Sequence, residues 1–305
     1  LARQNGCVIY PPMNLRHLLR QGNTLCICLI GISCNSISDA ADLPESLAPR
    51  KTIALHGGTE FTLRIQPRDD ADGARIPITQ GQVHQVITVL QKRLKTLGTR
   101  DAQVTQKGDN GIIVQVPEAT PEESKCIRKT LEVVGKLDLH EVSPHNHELG
   151  PNGKTLPARV AANEEIVPGY KVLTYKRKDE DGLEIAIPIL LNRRAALGNN
   201  DIELATPYPQ QPGAIVITLN KAGTDKMIAW TKDMAPLKDR IAIVLDGVVI
   251  SAPIVYKLPL GKNFIIEELG APGEVNCLIA ALMNPYEMPV VIEVQRSVPP
   301  PKDPK

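Results

Sequence analysis

Two short stretches, Asp109-Asn110-Gly111 and Asp246-Gly247, each stand between apolar, β-branched runs. Asn-Gly and Asp-Gly supply the backbone conformations that a tight hairpin needs. The runs around them, IIVQV after the first and RIAIVL and VVIS around the second, alternate or cluster as strands do. Each hairpin therefore predicts an antiparallel strand pair, and everything else is arranged about these two.

Before the first hairpin, FTLRI at 61–65 alternates as a strand. A helix follows at about 79–97, with Val83, Val86, Ile87, Leu90, Leu94 and Leu97 on one stripe, Thr79 as N-cap and Gly98 beyond its end. After the hairpin, Thr120 caps a second helix, with Pro121 at its first position and Glu123 where a capping box wants it. Leu137-x-Leu139 then opens a strand expected to close the unit. The order is β-α-β-β-α-β, the split ferredoxin-like motif. It recurs: IVITL at 215–219, a helix capped by Asn220, the Asp246-Gly247 hairpin, the extra strand NFIIEEL, a helix opened by Ala271-Pro272, and VVIEV at 290–294 to close. The second helices begin alike, PEESKC at 121–126 and PGEVNC at 272–277. The expected fold class is thus α+β with two ferredoxin-like units. A base occupies 51–143, a loop-rich connection 144–190, a head 191–296 and a disordered tail 297–305.

Composition bounds the function. The net charge is +1 and aromatics make up only 3% of the 305 residues, so a basic stripe interleaved with stacking rings is lacking and nucleic acid is not an expected partner. At the N-terminus, Arg16, His17 and Arg20 precede LCICLIGI at 25–32, far short of a bilayer-spanning helix but suited to the apolar region of an export signal. Ser38-Asp39-Ala40 fits a cleavage site, and Ser33-Cys34 resembles a degraded lipobox, which makes Cys34 a candidate lipid anchor. Residues 35–50 read as a linker. Cys126 and Cys277, each on an expected helix, are too few for a disulfide framework and read as small buried apolar residues.

The search for chemistry returns little. Ser251 lies on a strand with no flanking glycine and no helix following for some twenty residues, and all six histidines precede residue 148. A nucleophile elbow is therefore not expected there. His145-x-His147 sits with Pro144 and Asn146 on a loop, a poor setting for a structural zinc. Gly57-Gly58 precedes a strand and reads as a bend, not as a phosphate cradle. The chain is read as a non-enzymatic binding module with no cofactor and no metal.

At RIAIVLDGVVISAPIV, 240–255, the sequence resembles the signature stretch of the SecD family of protein-export translocase accessory subunits. IVITLNKAGTDKMIAWT at 215–231, Leu55-x-Gly57-Gly58-Thr59-x-Phe61, VLQKRLKTLGTRDAQVTQKGDNGIIVQVP at 89–117 and, more loosely, LNRRAALGNNDIELATP at 191–207 are similar to further blocks of that family, in the same order. The resemblance covers about 53–296. It implies the family's large periplasmic first domain, without the membrane helices, and a protein that is extracytoplasmic or inner-membrane associated. The implied partners are unfolded or translocating polypeptide and Sec translocase membrane subunits. A stand-alone module acting as an envelope scaffold or assembly protein is the alternative. Gly57, Gly58, Asn110, Gly111, Asp246, Gly247, Ser251 and Pro253 are the structural and signature positions. Pro253, Pro259 and Gly261 interrupt the strands after the second hairpin; they either expose a short unpaired edge, at which Ile254, Tyr256 and Leu258 take up a client chain as an added strand, or protect that edge, which is the commoner use of edge prolines.

Overall fold

The computed structural model describes residues 51–67, 75–99, 101–178, 183–267 and 269–301. The signal-like segment, the linker and Cys34 lie outside these residues.

A short helix α1 (Ile53–His56) leads into a four-stranded antiparallel sheet, called the base below as the remaining elements are called the head, in the order β13-β1-β3-β2. Its strands are β1 (Gly58–Ile65), β2 (Gln103–Lys107), β3 (Gly111–Pro117) and β13 (Val290–Val298). Phe61, Leu63 and Ile65 alternate on β1, and Ile112, Val114 and Val116 on β3; all are buried. They pack under α2 (Gln80–Thr96) and α3 (Pro121–Glu132), whose Val83, Val86, Leu90, Leu94, Ile127 and Leu131 complete one core. Burying each such side chain contributes roughly 1.5–3 kcal/mol. Both helices begin with capping boxes: Thr120 with Glu123 as predicted, and Thr79, predicted as an N-cap alone, with Gln82.

The head holds the other elements: β4 (Leu137–Glu141), α4 (Leu156–Ala161), β5 (Tyr170–Lys178), β6 (Glu184–Asn192), β7 (Leu197–Gly198), β8 (Ile202–Pro207), β9 (Ile215–Leu219), α5 (Lys221–Thr231), β10 (Ile241–Leu245), β11 (Val248–Ser251), β12 (Asn263–Ile266) and α6 (Pro272–Met283). A six-stranded sheet runs β6-β5-β11-β10-β4-β7, and a three-stranded sheet β12-β9-β8. Leu137, Leu139, Ile241 and Ile243 on one face of the larger sheet join Ile215, Ile217, Phe264, Val275 and Ile279 in the main head core. The opposite face carries a smaller cluster around Val142, Ile189, Leu191, Ala242, Val244 and Val249.

Three expectations are corrected. The strand at 137–141 does not close the first sheet; it pairs with β10 in the head. The strand at 290–298 does not close the second unit; it pairs antiparallel with β1 in the base, from Ile65↔Val290 to Gly58↔Val298, which carries it past the expected start of the tail at 297. The closing strands have in effect been exchanged. Alternation specifies which face of a strand is buried, not which sheet receives it. The second hairpin and the strand at 215–219, expected in one sheet, are divided between two.

The turns also differ from each other. Asp246 and Gly247 both have positive φ, 49° and 81°, in a two-residue loop closed by the Leu245↔Val248 pair. The first hairpin has a three-residue loop, 108–110, closed by Lys107↔Gly111, and its positive φ falls on Gly108, at 64°. Gly111 is needed for a different reason: a Cβ there would lie 2.4 Å from the Lys107 carbonyl oxygen. Gly58 is needed for the same kind of reason, since its Cβ would lie 2.2 Å from the Val116 oxygen.

Candidate functional site

The β5–β6 hairpin pairs over nine residues, and β5 joins the rest of the sheet at Tyr175↔Val249 of β11. On one face the cross-strand pairs Leu173↔Ile189 and Tyr175↔Ile187 continue the smaller head cluster outward. Ile189 is buried, Leu173 and Tyr175 are half-buried and Ile187 is exposed, so the stripe runs from covered to open. The short helix α4 and the segment after it complete a groove of about 750 Å³ whose lining includes Ile166, Val167, Leu173, Ala186, Ile187 and Gly247. Ile166 is 87% exposed and adds apolar surface at the rim. Glu165, Lys171 and Arg193 place charge of both signs at the lining.

The same hairpin presents a free edge. The inner end of β6 is occupied: Ser143 N–H donates to the Leu190 carbonyl, Val142 bridges Leu191, and the Asn146 side chain donates to the Leu190 oxygen and accepts its N–H. From Glu184 to Pro188, β6 has no neighbouring strand on its outer side among the described residues. Its side chains there are exposed, apart from half-buried Ile185. Main-chain groups on such an edge can hydrogen-bond an extended chain of any sequence, and Pro188 limits the length that is open.

The electrostatics beneath the groove centre on His140. It is buried on β4, its Nδ1–H donates to the Asn192 carbonyl at 2.8 Å, and its Nε2 faces the Lys171 ammonium at 3.3 Å. This arrangement requires the neutral imidazole. Burial, then the Lys171 charge, hold its pKa below the ordinary value. The unfolded chain takes up this proton near pH 6.5 and the folded chain only at lower pH. The stability that neutral His140 contributes is therefore present above about pH 6.5 and lost as the pH falls below it. Urea midpoints at pH 7.5 and 5.5 test this: the drop is expected to shrink in His140→Asn.

Several sequence-marked residues lie close to this site. Gly247 forms part of the groove, and its partner Asp246 reaches away from it, accepting the N–H groups of Val134, Gly135 and Lys136 at 2.9, 3.3 and 2.8 Å. Ser251 is buried at the end of β11, opposite Ile243. The candidate unpaired edge at 254–258 is absent. Ile241 N–H donates to the Pro253 carbonyl, Val255 N–H to that of Asp239, Leu237 N–H to that of Val255, and Ile254 bridges Arg240. Leu258 packs on the main head core, and only Tyr256 of the three candidates is exposed. Here the prolines end a strand whose continuation is already paired. Gly57, Gly58, Asn110 and Gly111 all belong to the base, away from the groove. His145 Nδ1 hydrogen-bonds the Glu148 carboxylate on a 3-10 turn that Asn146 ties to β6.

Sequence reasoning missed the junction between base and head. Arg93 on α2 is fully buried and donates to the carbonyls of Thr130, Val133 and Val134 at the end of α3, and to Asn284 at the end of α6, at 2.6–2.8 Å. Its guanidinium lies 3.6 Å from the ring centre of Tyr286. Burial, the larger influence, lowers its pKa and also pushes the Tyr286 phenol up to about 12. Cys126 and Cys277 are not separate apolar fillers; they form a disulfide between α3 and α6 across 151 residues of sequence. Two cysteines so far apart in sequence carry no spacing that indicates pairing.

Residues 171–284 match the family model for the SecDF P1 head subdomain, and residues 83–144 that for the N-terminal part of the SecDF P1 domain. The chain carries the SecD P1 region. A SecD translocase subunit from Magnetococcus marinus is 27% identical over 233 residues, covering 75% of this chain and 42% of the relative. That of Rickettsia conorii is 24% identical over 275 residues, covering 87% and 49%. The chain thus spans less than half the length of these SecD proteins. A SecDF crystal structure in a super-membrane-facing form aligns over 84% of this chain and 32% of its own, with TM-score 0.56 and 20% identity. A second structure, of a SecDF membrane component that enhances protein export, aligns over 77% of this chain and 98% of its own, with TM-score 0.52 and 19% identity. At these identities the likeness is one of fold. The SecD head match begins at Lys171, on the strand that floors the groove.

Proposed function

We propose that this chain assists protein export from outside the cytoplasm, its head holding extended polypeptide at the β5–β6 groove. The observation that carries this reading is the SecD P1 head match over 171–284, which spans most of the groove hairpin and the Asp246-Gly247 turn at its floor. The open edge of β6 supports it, because an export accessory meets clients that share only being unfolded, and main-chain pairing makes little demand on sequence. A disulfide supports an oxidising, extracytoplasmic compartment. Sec translocase membrane subunits are the partners this reading entails, and no catalytic step is assigned to the chain. We divide it into a base of 51–132 with 290–301 and a head of 137–283, and read the base as a ferredoxin-like unit whose fourth strand comes from the far end of the chain. The sheet order β13-β1-β3-β2 supports that reading.

The test is site-specific photocrosslinking during export of a secreted protein, with probes at Ala186 and Ile187, at Tyr256, and at Thr105 on the base. Ala186 and Ile187 are expected to label the translocating chain, and Thr105 to label nothing. If the groove probes capture only a folded envelope protein, the scaffold role takes the place of client binding.

A further inference from the structure

The main chain passes between base and head twice, at 133–136 from α3 to β4 and at 284–289 from α6 to β13. Arg93 and Asp246 gather hydrogen bonds at these crossings, close to any axis about which the head turns on the base. The disulfide lies elsewhere. Cys126 precedes Val133, where α3 ends, by seven residues, and Cys277 precedes Asn284, where α6 ends, by seven as well. Seven helical residues span roughly 10 Å. A bond at that distance from the axis stops the two helices from splaying, whereas contacts at the axis resist rotation weakly. The base core owns Ile127 and Leu131 of α3, and the head core owns Val275 and Ile279 of α6. The bond therefore joins two separate cores. The Lys129–Glu274 ion pair beside it is the surface companion, partly exposed and screened by salt.

We infer that the Cys126–Cys277 disulfide is a redox-controlled brace that fixes the head on the base when oxidised and frees it to pivot at 133–136 and 284–289 when reduced. The inference rests on this geometry and not on the export reading. Cys277 is buried, at 2% exposure, and Cys126 is half-buried, so a dithiol reaches the Cys126 Sγ first. Its thiolate forms a mixed disulfide with Cys126 and expels Cys277 as a thiolate, which takes up a proton. The second thiol of the reagent then displaces Cys126. Two electrons have passed to the protein, leaving two cysteine thiols and an oxidised reagent.

Hydrogen exchange of the full chain with and without dithiothreitol tests this, after peptide mass spectrometry of the unreduced protein. The bond is expected as a Cys126–Cys277 cross-linked peptide; free thiols at both positions overturn the inference. On reduction, the amides of Val134, Gly135, Lys136 and Tyr286 are expected to exchange at least tenfold faster, while those of Phe61, Leu63 and Ile243 stay within twofold. Uniform acceleration across both cores overturns it, because the bond is then a general stabiliser; so does an unchanged joint. A Cys126→Ala/Cys277→Ala variant is expected to show the fast joint with or without reductant, and a slow joint in that variant counts equally against the brace.

Discussion

Replacing Arg93 by Ala is expected to lower stability by at least about 4 kcal/mol. For a domain of this size that corresponds to a fall of roughly 10 °C in melting temperature. The reasoning weighs two opposing terms. Burying a guanidinium costs several kcal/mol, and the depressed pKa of Arg93 reflects that cost. Against it stand charge-assisted hydrogen bonds to four carbonyls, each of net value about 1.5–3 kcal/mol. These carbonyls sit at helix C-termini, where the backbone has no intrahelical donor and a cation is favoured. Truncation removes the donors and leaves the acceptors in place. Val134 keeps a second donor in the Tyr286 N–H at 2.9 Å, so the penalty falls mainly on Thr130, Val133 and Asn284. Arg93→Lys keeps the charge but not the planar fork, and is expected to recover less than half of the loss. Denaturant unfolding gives the values. An Arg93→Met variant with an unchanged midpoint would show that an apolar joint serves as well, and would sink the account.

Arg93 was legible in part. It lies three residues after Leu90 and one before Leu94, on the same stripe as Val86 and Leu97. A charged residue on a buried face is the signal, and its meaning is a buried partner that helical periodicity does not supply. The stripe itself, the caps at Thr79 and Thr120 and both hairpins follow from local spacing, which is why they were readable. The exchanged closing strands were not, because Leu137-x-Leu139 and VVIEV are both short apolar strands and neither pattern names the sheet that receives it. The paired cysteines show the limit from another side. Their equal offsets from Pro121 and Pro272 set each at the same height on its helix, but only the packing of α3 against α6 turns equal height into contact. At the candidate site, the prolines after Ser251 are equally compatible with an open edge and with a protected one. The partner that closes it, 237–241, leads into β10 and includes its first residue, and nothing in 253–258 announces it. The open edge lies instead on β6, where Pro188 was the available sign.

Asp246 is the residue at which the turn reading and the joint meet, and the two roles predict different variants. If it served only the hairpin, its task would be to tolerate a φ of 49°, which Asn does as well as Asp. Its carboxylate, however, accepts three consecutive main-chain N–H groups at the crossing from α3 to β4, Oδ2 those of Val134 and Gly135 and Oδ1 that of Lys136. An amide in its place offers one oxygen and turns an NH2 toward the remaining donors. Asp246→Asn is therefore expected to cost about 1–2 kcal/mol, close to the loss of a helix cap. Asp246→Ala, which loses all three acceptors and the tolerance for positive φ, is expected to cost about 2–3 kcal/mol. The carboxylate is exposed, so water replaces part of what is lost, and the figures stay well below those for Arg93. Urea midpoints of the two variants separate the roles. An Asn variant as stable as the parent, beside a weakened Ala variant, would confine Asp246 to the turn and remove its part in the joint.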